Sequence, residues 1–110
     1  MRFMTLWRPG KNANPRSEKL DREMGKFMED SFKNGVLVQA GGWDPKSPCT
    51  VVKRDGERVT VTDGPFTEAK ELIAGFALLE VKSKEEAIEI GKRFVAIVGD
   101  GTSEIRETQG

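Results

Sequence analysis

The sequence contains no histidine and a single cysteine, Cys49, among its 110 residues. Without histidine the chain has no imidazole to act as an acid, a base or a metal ligand, and zinc and transition metals prefer Cys and His ligands. We therefore expect no bound metal and no cofactor. A lone cysteine cannot form an intrachain disulfide, which fits a reducing compartment, so we predict a cytoplasmic location.

The charges of the chain cancel and long apolar runs are missing. There are 18 Lys and Arg against 18 Asp and Glu, and the mean hydropathy is −0.51. A neutral chain has no overall field to attract a polyanion, and no apolar run approaches the roughly 18 residues of a membrane span. We expect neither nucleic acid nor a membrane as a partner. The length predicts one domain, residues 1–110.

The apolar pattern predicts the order strand, helix, strand, hairpin, strand, helix, strand. Ser17 is the expected N-cap of the first helix, and Asn34-Gly35 its stop. Ser83 and Glu86 form a capping box that opens the second helix, and Gly99 follows its end. Residues 8–16, with two prolines, are expected to be a loop, and residues 67–71 a short helical turn. The strands are expected over 2–7, 36–40, 50–54, 57–62, 75–81 and 103–107.

The first helix carries an apolar stripe with helical spacing, which we interpret as core. The residues of this stripe are Leu20, Met24, Phe27, Met28 and Phe32.

This order of elements is typical of an α+β fold, the ferredoxin-like split βαβ plan, with a β-hairpin inserted around Asp55-Gly56. Two helices can cover only one face of its sheet. The first strand nevertheless offers apolar residues to both faces, Met4 and Leu6 on one and Trp7 on the other. The second face needs a cover, and the simplest cover is a second copy of the same sheet. We therefore predict a homodimer in which two sheets face each other.

One long segment, residues 61–76 (VTDGPFTEAKELIAGF), gives the chain a family resemblance. Together with GVL at 35–37, GWDP at 42–45 and VKSKEEA at 81–87, it resembles the YCII-related family, in its DGPF-domain branch. The resemblance implies a dimeric α+β barrel with a cleft between sheet and helices in which a small molecule could sit. Some family members use a His–Asp pair, which this chain cannot form. The branch is associated with extracytoplasmic-function sigma factors, which implies a regulatory role and such a factor as a possible partner.

Asp63 is the candidate for chemistry, because it ends a strand directly before Gly-Pro. Its carboxylate could reach the cleft and act as a general base or bind a ligand. Alternatively it only shapes the bend, as an Asx turn. Lys70 and Glu71 follow, close to Glu68, and could place both charge signs at the cleft mouth. The alternative for this cluster is a solvated turn.

Two tryptophans are candidates for binding a planar ligand. Trp43 follows Gly41-Gly42 at a strand end and could form the floor of a pocket. Trp7 ends the first strand and could do the same. The alternative is that both anchor the core or the dimer interface.

Three functions remain open at this point. The first is a small-molecule-binding dimer of regulatory character that is non-catalytic or at most weakly catalytic. The second is an enzyme on a small cyclic or carbonyl metabolite, with Asp63 as its sole proton acceptor. The third is a protein–protein module for a sigma factor.

Overall fold

The computed structural model describes residues 1–44, 46–64 and 73–109. Within them the fold is α+β, with a mostly antiparallel sheet. None of the described helices is long and apolar enough to cross a membrane. The elements are β1 (Arg2–Ala13), α1 (Glu18–Lys33), β2 (Leu37–Gly42), β3 (Thr50–Asp55), β4 (Arg58–Asp63), β5 (Gly75–Glu80), α2 (Lys84–Val98) and β6 (Gly99–Glu107).

Four of the strands form one antiparallel sheet in the order β2-β5-β1-β6. The two central strands, β5 and β1, are not consecutive in the chain, and each receives an edge strand on its outer side. This order is consistent with the predicted ferredoxin-like fold. The register places Phe3 beside Leu79 on β5, and Leu79 beside Leu37 on β2. These three side chains share one face of the sheet because side chains alternate along each strand.

Both helices begin where their capping signals predict. The Ser17 hydroxyl accepts a hydrogen bond from the Leu20 amide at 3.1 Å, and the Ser83 hydroxyl accepts one from Glu86 at 3.1 Å. The Glu86 carboxylate in turn accepts from the Lys82 amide at 3.1 Å. Free amides at both N-termini are therefore satisfied by side chains, as N-caps require.

The core lies where the helix-facing side of the sheet meets α2 and the end of α1. Its buried residues are Phe3, Leu37, Leu79, Val81 and Ala87. The predicted stripe of α1 contributes less to it than expected. Only Met28 of that stripe packs against the core cluster, and Phe32 is 47% exposed. The interpretation of the whole stripe as core is therefore wrong, because the sheet presents only small side chains opposite part of α1.

The first strand is longer than predicted. Instead of a loop from residue 8, β1 continues to Ala13 beside β6, which itself begins at Gly99 rather than at residue 103. Pro9 does not end the strand, because pairing with β5 stops at Trp7 and Gly75. Beyond that point β1 is paired on one side only, so the missing proline N–H need not break the pairing.

The strands β3 and β4 pair with each other as a separate two-stranded sheet, from Thr50 beside Asp63 to Asp55 beside Arg58. Gly56, in the turn, has a φ of +64°, which favours glycine. The residues of both strands are exposed except Thr60, which is half-buried.

Candidate functional site

A cleft of about 530 Å³ separates the helix-facing side of the sheet from α1 and α2. It exists because the sheet presents small side chains there. Next to the core row of Phe3, Leu79 and Leu37, the register aligns Thr5, Ala77 and Ala40 across three strands. Large residues of α1 therefore face open space rather than packed neighbours. The α1 residues that line the cleft include Leu20, Met24 and Phe27.

The outermost row of the cleft floor is almost bare backbone. Trp7 on β1 lies beside Gly75 on β5, and Gly75 lies beside Gly42 on β2. Trp43 follows Gly42 directly in the chain, and both tryptophans line the cleft. On the far side of Trp7 the row continues to Ser103 on β6. All five of these residues line the cleft.

The Trp7 ring is held on two sides. It meets the Phe94 ring of α2 edge-on, with centroids 5.2 Å apart and planes at 84°, a favoured aromatic geometry. On the sheet its ring occupies the place that a side chain at Gly101 would need. Trp7 is thus both a structural anchor and a wall of the cleft, so the two alternatives for it are compatible.

Trp43 is positioned by its backbone rather than by burial. Its amide donates to the Ala74 carbonyl at 2.9 Å, and its ring lies 6.5 Å from that of Phe76. The side chain lines the cleft, yet the residue is 47% exposed. A large aromatic surface half in water at a cleft wall is available to a ligand.

Sequence reasoning missed the polar residues of the cleft. Arg16 and Asp21 line it and form an ion pair at 3.6 Å. Asn14 lies nearby and donates its side-chain amide to the Ile97 carbonyl at 2.9 Å, joining this segment to α2. Thr5 could have been found, since it shares a strand face with Trp7. Arg16 could not have been found, because it lies in the irregular segment between β1 and α1, where no periodicity shows which way a side chain points.

Asp63 is not among the described residues that line the cleft. It is exposed at the end of β4, and its carboxylate accepts a hydrogen bond from the Thr50 hydroxyl at 2.6 Å. This contact ties the open end of the hairpin. The other predicted site residues, Lys70 and Glu71, lie outside the described residues, as do Glu68 and the turn predicted at 67–71.

The described cleft wall offers binding surface more than acid–base groups. Its ionisable side chains are Arg16 and Asp21, which form an ion pair at 3.6 Å with both side chains largely exposed to water. The remaining lining is mainly aliphatic, aromatic or thioether, with the hydroxyls of Thr5, Ser31 and Ser103. Across the described part of the chain, no three Cys, Asp or Glu side chains gather as a metal site would require.

Two comparisons with known proteins found a match. One relative is an uncharacterized protein of Rhizobium meliloti (strain 1021), 25% identical over 75 residues. That match covers 68% of this chain and spans 60% of the relative's length. The model of the YCII-related domain matches residues 1–108. The chain therefore belongs to the YCII-related family.

Proposed function

We propose that the protein binds a small molecule in the cleft between sheet and helices, as a homodimer with a regulatory rather than a catalytic role. The observation that carries the proposal is the cleft of about 530 Å³ between sheet and helices, lined by Trp7 and Trp43 among others, within the range of about 300–1,000 Å³ typical of ligand pockets. Its apolar lining with a few hydroxyls is also typical of such pockets. The segment at 61–76 supports placing the protein in the DGPF branch.

Support for the dimer comes from the face of the sheet opposite the helices. Met4 on β1 pairs with Leu78 on β5, and both alternate with core residues, so they belong to that outer face. Leu6 follows Met4 on the same face. A second copy placed against these side chains would remove apolar surface from water. The assembly would be a dimeric α+β barrel, with the β3–β4 hairpin as an insertion in the ferredoxin-like plan.

Solution mass at micromolar concentration tests the dimer, and Leu6→Glu is the variant to compare. A charge in a sheet-to-sheet interface would cost several kcal/mol of association energy, so the variant should become monomeric. The control is Val52→Glu, which adds the same charge to the hairpin. A wild-type protein that is monomeric at this concentration would overturn the dimer.

Ligand binding is tested by a thermal-shift screen against a metabolite library. A ligand at about 100 times its Kd stabilises the folded state by about 2.7 kcal/mol, which raises the melting temperature of a domain of this size by about 10 °C or more. Trp43→Ala should abolish the shift while leaving the melting temperature nearly unchanged, because the ring is half in water. If no compound of the library shifts the melting temperature, the proposal is refuted and the sigma-factor module is favoured. A pull-down with a purified sigma factor then tests that module.

The enzymatic alternative assigns Asp63 as the sole proton acceptor, with Lys70 and Glu71 helping to bind the substrate. Turnover of a ligand found in the screen would support it, provided that Asp63→Asn removes turnover and Thr50→Val does not. The hydrogen bond from Thr50 supports a structural task for Asp63 instead.

A further inference from the structure

We infer that the ligand of this cleft is a flat, uncharged aromatic molecule that lies over the Gly75–Gly42 floor and packs against the tryptophans that line the cleft. This inference rests on the proposed binding function and deepens it by naming the chemical class of the ligand. Three features carry it: the shape of the floor, the aromatic walls, and the pairing of the charges.

The floor favours a flat molecule. Trp7, Gly75 and Gly42 occupy one row on three neighbouring strands. Neighbouring strands lie about 4.8 Å apart, so β1 and β2 are separated by roughly 10 Å. Neither glycine has a Cβ, and a ring can therefore approach the backbone more closely than at any other residue type. The adjacent row, with Ala77 and Ala40, extends the same low surface toward the core.

The walls favour aromatic rings. Trp7 cannot turn away easily, because Phe94 and Gly101 confine its indole. Trp43 follows Gly42 in the chain and also lines the cleft, with its ring 6.5 Å from that of Phe76. Aromatic pairs gain more than area burial alone, and a ligand ring in contact with either indole can form such a pair.

The charges disfavour an ionised ligand. Among the described lining residues only Arg16 and Asp21 are charged. They pair with each other at 3.6 Å, and their side chains are 89% and 57% exposed, so both charges lie in water rather than deep in the cleft. An ionised group placed deeper in the cleft would lose its water without gaining an opposite charge from the described lining, which is costly. Hydroxyls of Thr5 and Ser103 on the floor can instead bond a neutral oxygen or nitrogen of the ligand.

The test uses two dyes of nearly the same shape. N-phenyl-1-naphthylamine is uncharged, whereas 1-anilinonaphthalene-8-sulfonate adds one sulfonate. Both tryptophans of the chain line the cleft, so a dye bound there should quench their emission. We expect saturable quenching by the neutral dye, with an affinity at least tenfold higher than that of the sulfonate.

Two variants locate the dye. Ala77→Leu fills the floor and should weaken neutral-dye binding at least tenfold, while Ala96→Leu makes the same change at an exposed position of α2 and should not. Trp43→Ala, at a half-exposed site with little risk to folding, should also weaken binding. If dye affinity is unchanged in both Ala77→Leu and Trp43→Ala, the dye binds elsewhere and the inference fails.

The outcomes separate this inference from the proposed function. Equal or tighter binding of the sulfonate would overturn the uncharged class, while a cleft that binds either dye would still support a binding protein. If neither dye binds but a charged metabolite from the library does, the inference is again wrong and the binding function stands. If no dye and no metabolite binds, both are wrong.

Discussion

Two regions of the molecule are stabilised in opposite ways: the four-stranded sheet with its two helices, and the separate β3–β4 hairpin. In the sheet, Leu79 is only 2% exposed and contacts a core assembled from distant parts of the chain. In the hairpin, Val52 and Val61 pair with each other on one face and are 67% and 66% exposed. A two-stranded hairpin alone in water is marginally stable. The comparison teaches that pairing and turn chemistry suffice to define strands, whereas burial decides how much those strands stabilise the fold.

The largest expected effect is the loss of a core side chain. Leu79→Ala removes buried methyl groups and leaves a cavity, which should cost about 2–5 kcal/mol in the free energy of unfolding. Val61→Thr replaces an exposed hairpin valine by a side chain of nearly the same shape, and it should cost no more than about 0.5 kcal/mol. Urea unfolding measures both. A comparable loss in the two variants would mean that the valine face is covered in solution, and the contrast between the regions would then be wrong.

A second contrast concerns two glycines. Gly101→Ala would force a Cβ into the place of the Trp7 ring and the Arg8 carbonyl, so we expect a loss of about 1–3 kcal/mol from overpacking. In Gly56→Ala the new Cβ meets no atom within 4 Å, but the φ of +64° at this position is strained for alanine. That strain costs about 1 kcal/mol.

Emission spectra distinguish the two causes. In a Trp43→Phe background, where Trp7 is the sole fluorophore, Gly101→Ala should shift the emission and Gly56→Ala should not. An unchanged spectrum for Gly101→Ala would show that the sheet backbone yields instead of the indole.

A smaller effect is expected at the open end of the hairpin. Thr50→Val removes the 2.6 Å hydrogen bond to Asp63 and should destabilise the hairpin by about 0.5 kcal/mol, the lower end for a hydrogen bond because the site is exposed. Amide hydrogen exchange should accelerate in β3 and β4 but not in β1 or β5. Thr62→Val is the matched control on the other hairpin face. Equal acceleration in the four-stranded sheet would show that the two regions unfold together.

Local signals were sufficient to predict much of the fold. Ser17 and Ser83 predicted the starts of both helices, and Asp55-Gly56 predicted the hairpin turn, because each of these features depends on residues within four positions. The end of β1 could not be predicted in this way. Whether Pro9 breaks the strand depends on the neighbouring β5, which pairs with β1 only as far as Trp7.

The site was harder to predict than the fold. Trp7 and Trp43 were chosen for their chemistry, and both line the cleft. Its floor, however, arises from the register that brings Gly42 and Gly75 side by side, residues that lie 33 positions apart in the chain. Asp63 was chosen because it follows a strand, and whether such a carboxylate reaches the cleft depends on tertiary placement. No pattern within a short window contains that information.

The smallest expected effect is a pH dependence on the outer face of the four-stranded sheet. Arg106 donates a hydrogen bond to Glu104 at 2.6 Å, and Arg8 lies 3.6 Å away. The hydrogen bond from Arg106, aided by both positive charges and opposed by partial desolvation, lowers the pKa of Glu104 below its usual 4.5. The folded state therefore prefers the ionised carboxylate. Its contribution to stability is full above the ordinary pKa and is lost as the pH falls through the lowered one.

In Glu104→Gln the free energy of unfolding should fall less between neutral and acid pH than in the wild type. In Glu107→Gln, a change on the same strand, it should fall as much as in the wild type. Urea unfolding at a series of pH values from neutral to about 3 measures the difference. Because the pair is accessible to water, its effect in an isolated chain should be small and should weaken further in salt. If a second copy covers this face, as proposed, water and salt are excluded and the effect should grow with protein concentration. An effect that stays the same while rising concentration converts monomer into dimer would place the dimer contact away from Glu104.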